Sequence, residues 1–267
     1  MSERIVFSFR CGRLGLGLVL AQLPTGALLM SPPLIAQATL VSSNPADARA
    51  LLDRADRIRN EWSEGVLMLR VTTEKPRSPS SEVTVEVMVK GGTKARIRFV
   101  TPPEPGKFFL TVGDDAWLIL PNTRNPIRIP KSHRLSGGFS AADISRTRFS
   151  EDYDSVIERS DTLDGRLCDV LRLMARKDRK PSYPIVRVWI DRKESLYRKA
   201  VFLLPSGKTA KETTFDSYRP YHGVLSLERQ TIVDTLRPGV TRVEYLDYEK
   251  RPVPDSIFEP RTALTAS

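Results

Sequence analysis

The sequence predicts a mainly β protein of the α+β class: one antiparallel sheet of about ten or more strands, with a long helix near the N-terminus. Three observations support this. Apolar and polar residues alternate with period two through most of residues 65–248. Glycine, proline and aspartate mark short turns between these runs. Only residues 45–62 repeat their apolar positions at helical spacing. A sheet of this size must curl, because a flat one would leave an apolar face exposed.

Residues 1–38 have the features of a secretory signal peptide. Three arginines form a basic start, an apolar run follows from Leu14, and Ala36, Gln37 and Ala38 form a small-x-small cleavage site. Glycines and prolines interrupt the run, whereas a membrane-spanning helix needs roughly 20 apolar residues without such breaks. We therefore expect export with cleavage near Ala38, and an uncleaved N-terminal anchor is the alternative.

Charge and cysteine content limit the partners. The net charge is +10, and removal of residues 1–38 takes away three arginines and one glutamate, which leaves +8. This balance suggests an anionic partner or a membrane surface. No nucleic acid is expected, because the chain is exported and its basic residues alternate with apolar ones along strands. Cys11 leaves with the signal peptide, so Cys168 has no intrachain partner and is predicted to be a buried, inert thiol.

The first element after the signal peptide is a helix over residues 45–62. Asn44 is a good N-cap and Pro45 suits the first helical position. Gly65 is predicted to end the helix. Its apolar face consists of Leu51, Leu52, Ala55, Ile58 and Trp62.

The period-two runs predict strands joined by short turns. Residues 82–90 and 93–100 form a hairpin around Gly91 and Gly92. Further strands are predicted over residues 65–75, 107–112, 115–120, 125–129, 153–159, 166–176, 184–191, 196–204, 208–218, 224–234 and 240–248. Short helical pieces are expected near residues 140–145 and 254–258, and a flexible tail over 261–267. No shift in composition divides residues 39–260, which are predicted to form one domain.

The sequence offers no convergent catalytic groups. His133 and His222 lie beside turn residues without metal-ligand spacing, and no G-x-S-x-G motif is present. We therefore expect no enzyme, no metal site and no cofactor. A large curled sheet with one long helix leaves an apolar concavity that is only partly covered, which is the geometry of an apolar ligand site. A concavity that is merely a filled core fits the periodicity equally well.

A basic cluster follows the predicted strand 115–120. It consists of Arg124, Arg128, Lys131, His133 and Arg134. A phosphate or an acidic partner would find complementary charge here, so Arg124, Arg128, Lys131 and Arg134 are candidates for docking a partner or a head group. A solvated loop is the alternative, since charge runs are usually solvated.

Residues 117–130, "WLILPNTRNPIRIP", followed by residues 137–144, "GGFSAADI", resemble the central signature of the outer-membrane lipoprotein-sorting (LolA-like) family. That signature is a W-L-x-L-P strand, a basic loop and a Gly-Phe-x-x-x-Asp segment. Three later stretches fit the family in the same order: "DGRLCDVLRLMAR" at 164–176, "VRVWID" at 186–191 and "DSIFEP" at 255–260.

The resemblance implies an open, strongly curved antiparallel half-barrel with short helical lid segments. It also implies a periplasmic carrier that holds acyl chains in an apolar groove for transfer towards the outer membrane. The expected partners are acyl chains of lipoproteins or phospholipid-like ligands, an inner-membrane transporter and an outer-membrane acceptor, and we expect a monomer. The alternative is a periplasmic sensor or interaction module, of envelope stress or of a lipid transporter, with the groove as a detector.

Candidate groove and lid residues are apolar positions of the helix and of the first strands, although the alternation does not tell which strand face is concave. They are Leu51, Leu52, Ile58, Leu67, Leu69, Val85, Val87, Ile97, Phe99, Phe109 and Trp117. By resemblance, Trp117 and Leu118 belong to the signature strand, Arg124 and Arg128 to its basic loop, and Gly138, Phe139 and Asp143 to the entrance segment.

Overall fold

The computed structural model describes residues 44–61, 63–101, 107–120, 125–130, 132–136, 138–140, 143 and 148–261. The predicted signal peptide, Trp62 and residues 262–267 of the predicted tail lie outside these ranges.

Helix α1 spans Pro45–Arg59 and begins as predicted. The Asn44 side chain accepts a hydrogen bond from the Ala46 N–H at 3.1 Å, and Pro45 occupies the first turn. The helix ends three residues before the predicted boundary because Asn60 caps it, donating from its backbone N–H and its side-chain amide to the Asp56 carbonyl. Gly65 therefore has a different role. It lies in the first strand with φ +146°, where a Cβ would collide with the Glu249 carbonyl oxygen.

An antiparallel sheet of 13 strands forms the body of the described chain. Its strands are β1 Glu64–Glu74, β2 Ser81–Lys90, β3 Lys94–Phe99, β4 Phe108–Val112, β5 Asp115–Ile119, β6 Ile127–Ile129, β9 Tyr153–Leu163, β10 Arg166–Ala175, β11 Ile185–Asp191, β12 Tyr197–Leu203, β13 Thr209–Tyr221, β14 Val224–Asp234 and β15 Gly239–Glu249. A separate short hairpin pairs β7 Arg134–Ser136 with β8 Phe139–Ser140.

The strand order is β6-β5-β4-β3-β2-β1-β15-β14-β13-β12-β11-β10-β9. Two meanders, β1–β6 and β9–β15, are therefore joined where β1 pairs with β15. The sheet is open, with β6 and β9 at its edges. The predicted open antiparallel half-barrel is confirmed, and each predicted strand is present with small shifts at its ends.

Three short elements complete the described chain. The hairpin β7–β8 and helix α2, Phe149–Asp152, were not predicted, because elements this short carry no periodicity. A 3-10 helix, Asp255–Phe258, confirms the helical turn expected at 254–258. The short helix expected near 140–145 falls mostly outside the described residues.

We call the face of the sheet that carries α1 the inner face. Two apolar clusters lie on it: the helix half, where α1 packs on β9–β14, and the hairpin half, where β7–β8 packs on β1–β4, β14 and β15. Two smaller clusters lie on the outer face. One places Val253 and Phe258 over β4 and β5, and the other contains Cys168. The Cys168 thiol is free and buried, as predicted, and burial raises its pKa.

Candidate ligand site on the inner face

Seven of the predicted groove residues meet on the hairpin half. Strand register places Leu67 beside Val87, Val87 beside Ile97 and Ile97 beside Phe109. A second row runs from Leu69 through Val85 to Phe99. All seven are buried, so the two rows form one continuous apolar surface across four strands.

The predicted lid residues of the helix lie over the other half. Leu51 and Leu52 are buried against Leu171, Val188 and neighbouring residues of the helix half. Ile58 is only half-buried. The helix and the β1–β4 rows therefore belong to adjacent clusters, in contact through the half-buried Tyr245, which packs against both.

Trp117 does not line the inner face, which corrects its assignment to the groove. It pairs with Leu110 and packs on the outer face with the cluster of Val253 and Phe258. The neighbouring Leu118 pairs with Phe109 and faces inward instead. The physical reason is that β4 and β5 are apolar on both faces, so alternation alone does not identify the inner one.

The basic cluster is described only in part. Arg124 and Lys131 lie outside the described residues, and only the backbone of Arg134 is described, in β7. Arg128 lies on the edge strand β6, with 73% of its side chain exposed, and forms an ion pair with Asp115. Whether these residues dock a partner stays a prediction.

The hairpin β7–β8 covers the apolar rows. Phe139 is 1% exposed and belongs to the cluster of Ile97 and Phe109. The Gly138 N–H donates to Thr241 Oγ1 at 2.9 Å. A Cβ on Gly138 would lie 3.2 Å from Ile232, so glycine allows the hairpin to approach the sheet closely.

Two cavities meet beside this cover. The mouth cavity, of about 560 Å³, lies between the β6 side, with Arg128 and Pro130, and the loop before β11, with Lys180 and Tyr183. The inner void, of about 20 Å³, is lined by Leu67, Leu69, Val87, Leu227 and others. Arg59 and Asp143 line both cavities and therefore separate them.

A buried ion pair lies at this boundary. Lys211 Nζ is 2.6 Å from Asp143 Oδ1, and the two side chains are 6% and 11% exposed. The same Nζ lies 4.6 Å from the ring centroid of Phe202 and 5.5 Å from that of Tyr183. Asp143 Oδ2 accepts hydrogen bonds from the Ser140 N–H and hydroxyl at 2.9 and 2.6 Å. Removal of one partner of such a pair leaves an uncompensated buried charge, which is strongly destabilising.

A second polar network fastens the helix half. Asp56 of α1 is buried and accepts hydrogen bonds at 2.7 Å from the Ser150 N–H and from the Tyr197 hydroxyl. Burial raises the pKa of Asp56, against these hydrogen bonds, which lower it. These contacts tie α1 to α2 and to β12.

Within the described ranges, no group of three or more His, Cys, Asp or Glu residues is placed to hold a metal ion. In the same part of the chain, no helix combines the length and the apolar character that crossing a membrane requires.

Comparison with known proteins gives one family model and several solved structures. The model, described as "Uncharacterized protein", matches residues 91–263. No curated protein matches the chain. A LolA superfamily protein from Nitrosomonas europaea is 28% identical with a TM-score of 0.73, over 79% of this chain and 96% of that one.

Two further structures share the fold. A DUF1329 family protein from Desulfovibrio piger has a TM-score of 0.73 at 17% identity, over 83% of this chain and 100% of that one. A domain described as an outer membrane lipoprotein-sorting protein, from Vibrio parahaemolyticus, has a TM-score of 0.69 at 19% identity, over 81% and 97%.

Proposed function

This chain belongs to the outer-membrane lipoprotein-sorting (LolA-like) family, and from that premise we propose that it is a periplasmic carrier of acyl chains. It would hold the chain against the hairpin half of its inner face and release it towards the outer membrane. The protein acts by binding and not by catalysis.

The observation that carries this proposal is the kind of cover that lies over the apolar rows. The helix half is closed by a helix of 15 residues, whereas the hairpin half is closed by strands of three and two residues. The mouth cavity, about 560 Å³, is within the range of small-molecule sites, roughly 300–1,000 Å³. The inner void of about 20 Å³ is too small for an acyl chain. A chain that passes the mouth must therefore displace the hairpin.

The energetics suit a carrier. Each methylene removed from water contributes roughly 0.8 kcal/mol, so about ten buried methylenes contribute roughly 8 kcal/mol before the costs of binding. A gross contribution of this size corresponds to a dissociation constant of roughly 1 μM, which is reversible. An acceptor that offers a more apolar or less strained site then removes the chain without an external energy source.

The partners follow from the same proposal. An inner-membrane donor supplies the lipidated ligand, whether lipoprotein or phospholipid-like, and an outer-membrane acceptor receives it. Arg128 at the β6 edge, with Arg124, Lys131 and Arg134 nearby in sequence, would dock an anionic partner beside the mouth.

A disulfide between the hairpin and the sheet tests the proposal. A Cβ on residue 138 would lie 3.6 Å from Thr241 Oγ1, so Gly138→Cys with Thr241→Cys places two thiols within bridging range. Cys11 is replaced by serine, and Cys168 is buried. We expect the reduced variant to take up a polyene fatty acid whose fluorescence rises in apolar surroundings, and the oxidised variant to fail.

The two single-cysteine variants are the matched controls. Without a bridge, they measure the effect of a Cβ at 138, which would lie 3.2 Å from Ile232, and of the hydrogen bond to Thr241 Oγ1 that Thr241→Cys removes. Equal uptake by the oxidised and reduced forms would show that the chain does not pass beneath the hairpin. No uptake by wild type would contradict the carrier. Uptake of the fatty acid without transfer to acceptor vesicles would favour the alternative function, a periplasmic sensor that uses the groove as a detector.

A further inference from the structure

The boundary between the two cavities carries more positive than negative charge. We call Arg59, Lys211 and Asp143 the junction. Asp143 is bonded to Lys211, whereas the Arg59 side chain makes no hydrogen bond or ion pair within the described residues. The Arg59 guanidinium lies 5.7 and 5.5 Å from the ring centroids of Phe149 and Phe215. Asp56, one turn earlier on α1, is close enough for the Arg59 charge to lower its pKa, but its carboxylate accepts hydrogen bonds from Ser150 and Tyr197 and none from Arg59.

The two charges of the ion pair come from different parts of the fold. Lys211 belongs to β13 of the sheet. Asp143 follows the hairpin and is held by both hydrogen bonds from Ser140 of β8. The anion on Lys211 is therefore supplied by the cover and not by the sheet. When the hairpin is displaced, Asp143 moves with the cover, and Lys211 would remain among aromatic rings as an unpaired buried charge.

We propose that Arg59 and Lys211 form a head-group site for an acyl ligand with an anionic head, carboxylate or phosphate, and that Asp143 occupies this site when no ligand is bound. The inference rests on the proposed function and adds the class of ligand. The tail extends towards Leu67 and Leu69, because the junction borders the inner void that these residues line.

The remaining charges of the mouth cavity favour this position over the rim. The rest of the lining contains Asp114, Asp178 and Lys180, the half-buried Asp152, whose carboxylate lies 4.0 Å from the Arg179 guanidinium, and the Arg128–Asp115 pair. Carboxylates outnumber cations in this part of the lining, whereas the junction has two cations and one carboxylate. A neutral head group that displaces Asp143 leaves Lys211 unpaired, but an anionic one replaces the lost charge, so the site discriminates between them.

The test compares three ligands with one tail. Oleate, oleoyl lysophosphatidate and neutral mono-oleoylglycerol are titrated calorimetrically into the purified full-length chain and its variants. We expect wild type to bind at least one anionic ligand about tenfold more tightly than the neutral one, as a close charge pair in a partly buried site contributes at least this much. The anion that binds more tightly tells whether the head is carboxylate or phosphate.

Four variants separate the roles. Arg59→Gln should abolish the preference by weakening binding of the anionic ligands more than that of the neutral one. Lys211→Gln should abolish it as well, because no unpaired Lys211 charge then penalises the neutral ligand. Asp143→Asn should strengthen binding of the anionic ligand more than that of the neutral one. Arg57→Gln, which is exposed on the same last turn of α1, is the matched control and should change nothing. Arg59 is half-buried, so its variant stays informative if Lys211→Gln does not fold.

The outcomes distinguish the two proposals. Equal affinity of wild type for all three ligands would overturn the head-group site and leave the carrier intact. Equal loss of anionic and neutral ligands in Arg59→Gln would also overturn it, since the effect would then be on the groove. Binding of none of the ligands by wild type would contradict the carrier itself.

Discussion

Truncation of Phe139 tests whether the hairpin β7–β8 is a movable cover or a part of the core. The ring is 1% exposed and packs in the cluster of Ile97, Phe109 and Ile232. Phe139→Ala removes this contact without touching the junction. In a core of fixed structure, such a change costs about 3–5 kcal/mol of unfolding free energy.

The expected magnitude differs if the hairpin separates from the sheet as a local unit. The loss of about 3–5 kcal/mol then destabilises the closed position of the hairpin on the sheet. The equilibrium between closed and open hairpin shifts towards the open form by roughly 150- to 4,000-fold. The free energy of global unfolding falls only by as much as closure had contributed, which we expect to be less than about 2 kcal/mol.

Native-state hydrogen exchange, with urea unfolding of the same samples, measures both quantities. The reporters are the N–H groups of Gly138 and Ser140, which donate to Thr241 Oγ1 and Asp143 Oδ2. We expect their exchange to accelerate by about 100-fold or more in Phe139→Ala. Leu171→Ala, a fully buried site in the helix half, is the control and should lower global stability by about 2–5 kcal/mol.

One result would refute the reasoning. If Phe139→Ala lowers the free energy of unfolding by the full 3–5 kcal/mol or so, and the two amides exchange only with global unfolding, the hairpin is an integral core element. An acyl chain would then have no route to the rows beneath it, and the mouth cavity alone would have to hold the ligand.

Three other predictions concern pH and the outer face. Burial raises the pKa of Asp56, so the stabilising contribution of this carboxyl is full below its ordinary pKa of 3.8 and is lost as the pH rises through the raised pKa. The stability advantage of wild type over Asp56→Asn should therefore shrink from about pH 4 to pH 7 in urea titrations. Growth of that advantage would contradict the prediction. Hydrogen bonds from Lys94 and Lys90 lower the pKa of Asp255 to about 2. In wild type, the protection of the 255–258 amides from hydrogen exchange should therefore be lost as the pH falls from about 4 to 2. In Asp255→Asn, this protection should be independent of pH. Trp117→Glu, on the outer face, should leave fatty-acid affinity within about twofold of wild type, and a large loss would return Trp117 to the ligand site.

The sequence predicts the strands well because their signals are local. Alternation sets each strand, and turn residues such as Gly91 and Gly92, both with positive φ, set the ends. The pairing of β1 with β15 has no such signal, because the two strands are more than 160 residues apart. Local pattern therefore gives the two meanders, and family resemblance was needed to join them into one half-barrel.

Face assignment fails where both faces of a strand are apolar. In β4, Phe108, Phe109 and Leu110 are all buried, because both faces of the strand are covered. The hairpin covers the inner face, and the C-terminal segment covers the outer one. An apolar outer cluster beneath Val253 is invisible to a period-two pattern, and Trp117 was assigned to the wrong side for this reason.

The junction was missed for a different reason. Lys211 follows the buried Ala210 within a strand and has the sequence pattern of any solvated strand residue. Its partner Asp143 is 68 residues away, and Arg59 ends a helix where basic residues are common anyway. Resemblance pointed to Asp143 as part of the entrance segment, but only the folded arrangement shows which cations it meets.

The two halves of the inner face differ in the contacts that must break before their covers separate from the sheet. This difference supports a fixed helix α1 and a movable hairpin β7–β8. Opening the helix half would break both hydrogen bonds to Asp56 and expose Leu51 and Leu52, so it would unpair a buried carboxyl as well as expose apolar surface. Opening the hairpin half costs the burial of Phe139, a hydrogen bond to Thr241 and the Lys211–Asp143 pair. In the proposed mode, an anionic acyl ligand would replace two of these: its tail would take the place of the Phe139 contact and its head the place of the Asp143 carboxylate. No ligand of that kind replaces the polar contacts beneath α1. The hairpin half is therefore where binding energy offsets opening, and it is where the acyl chain should be found.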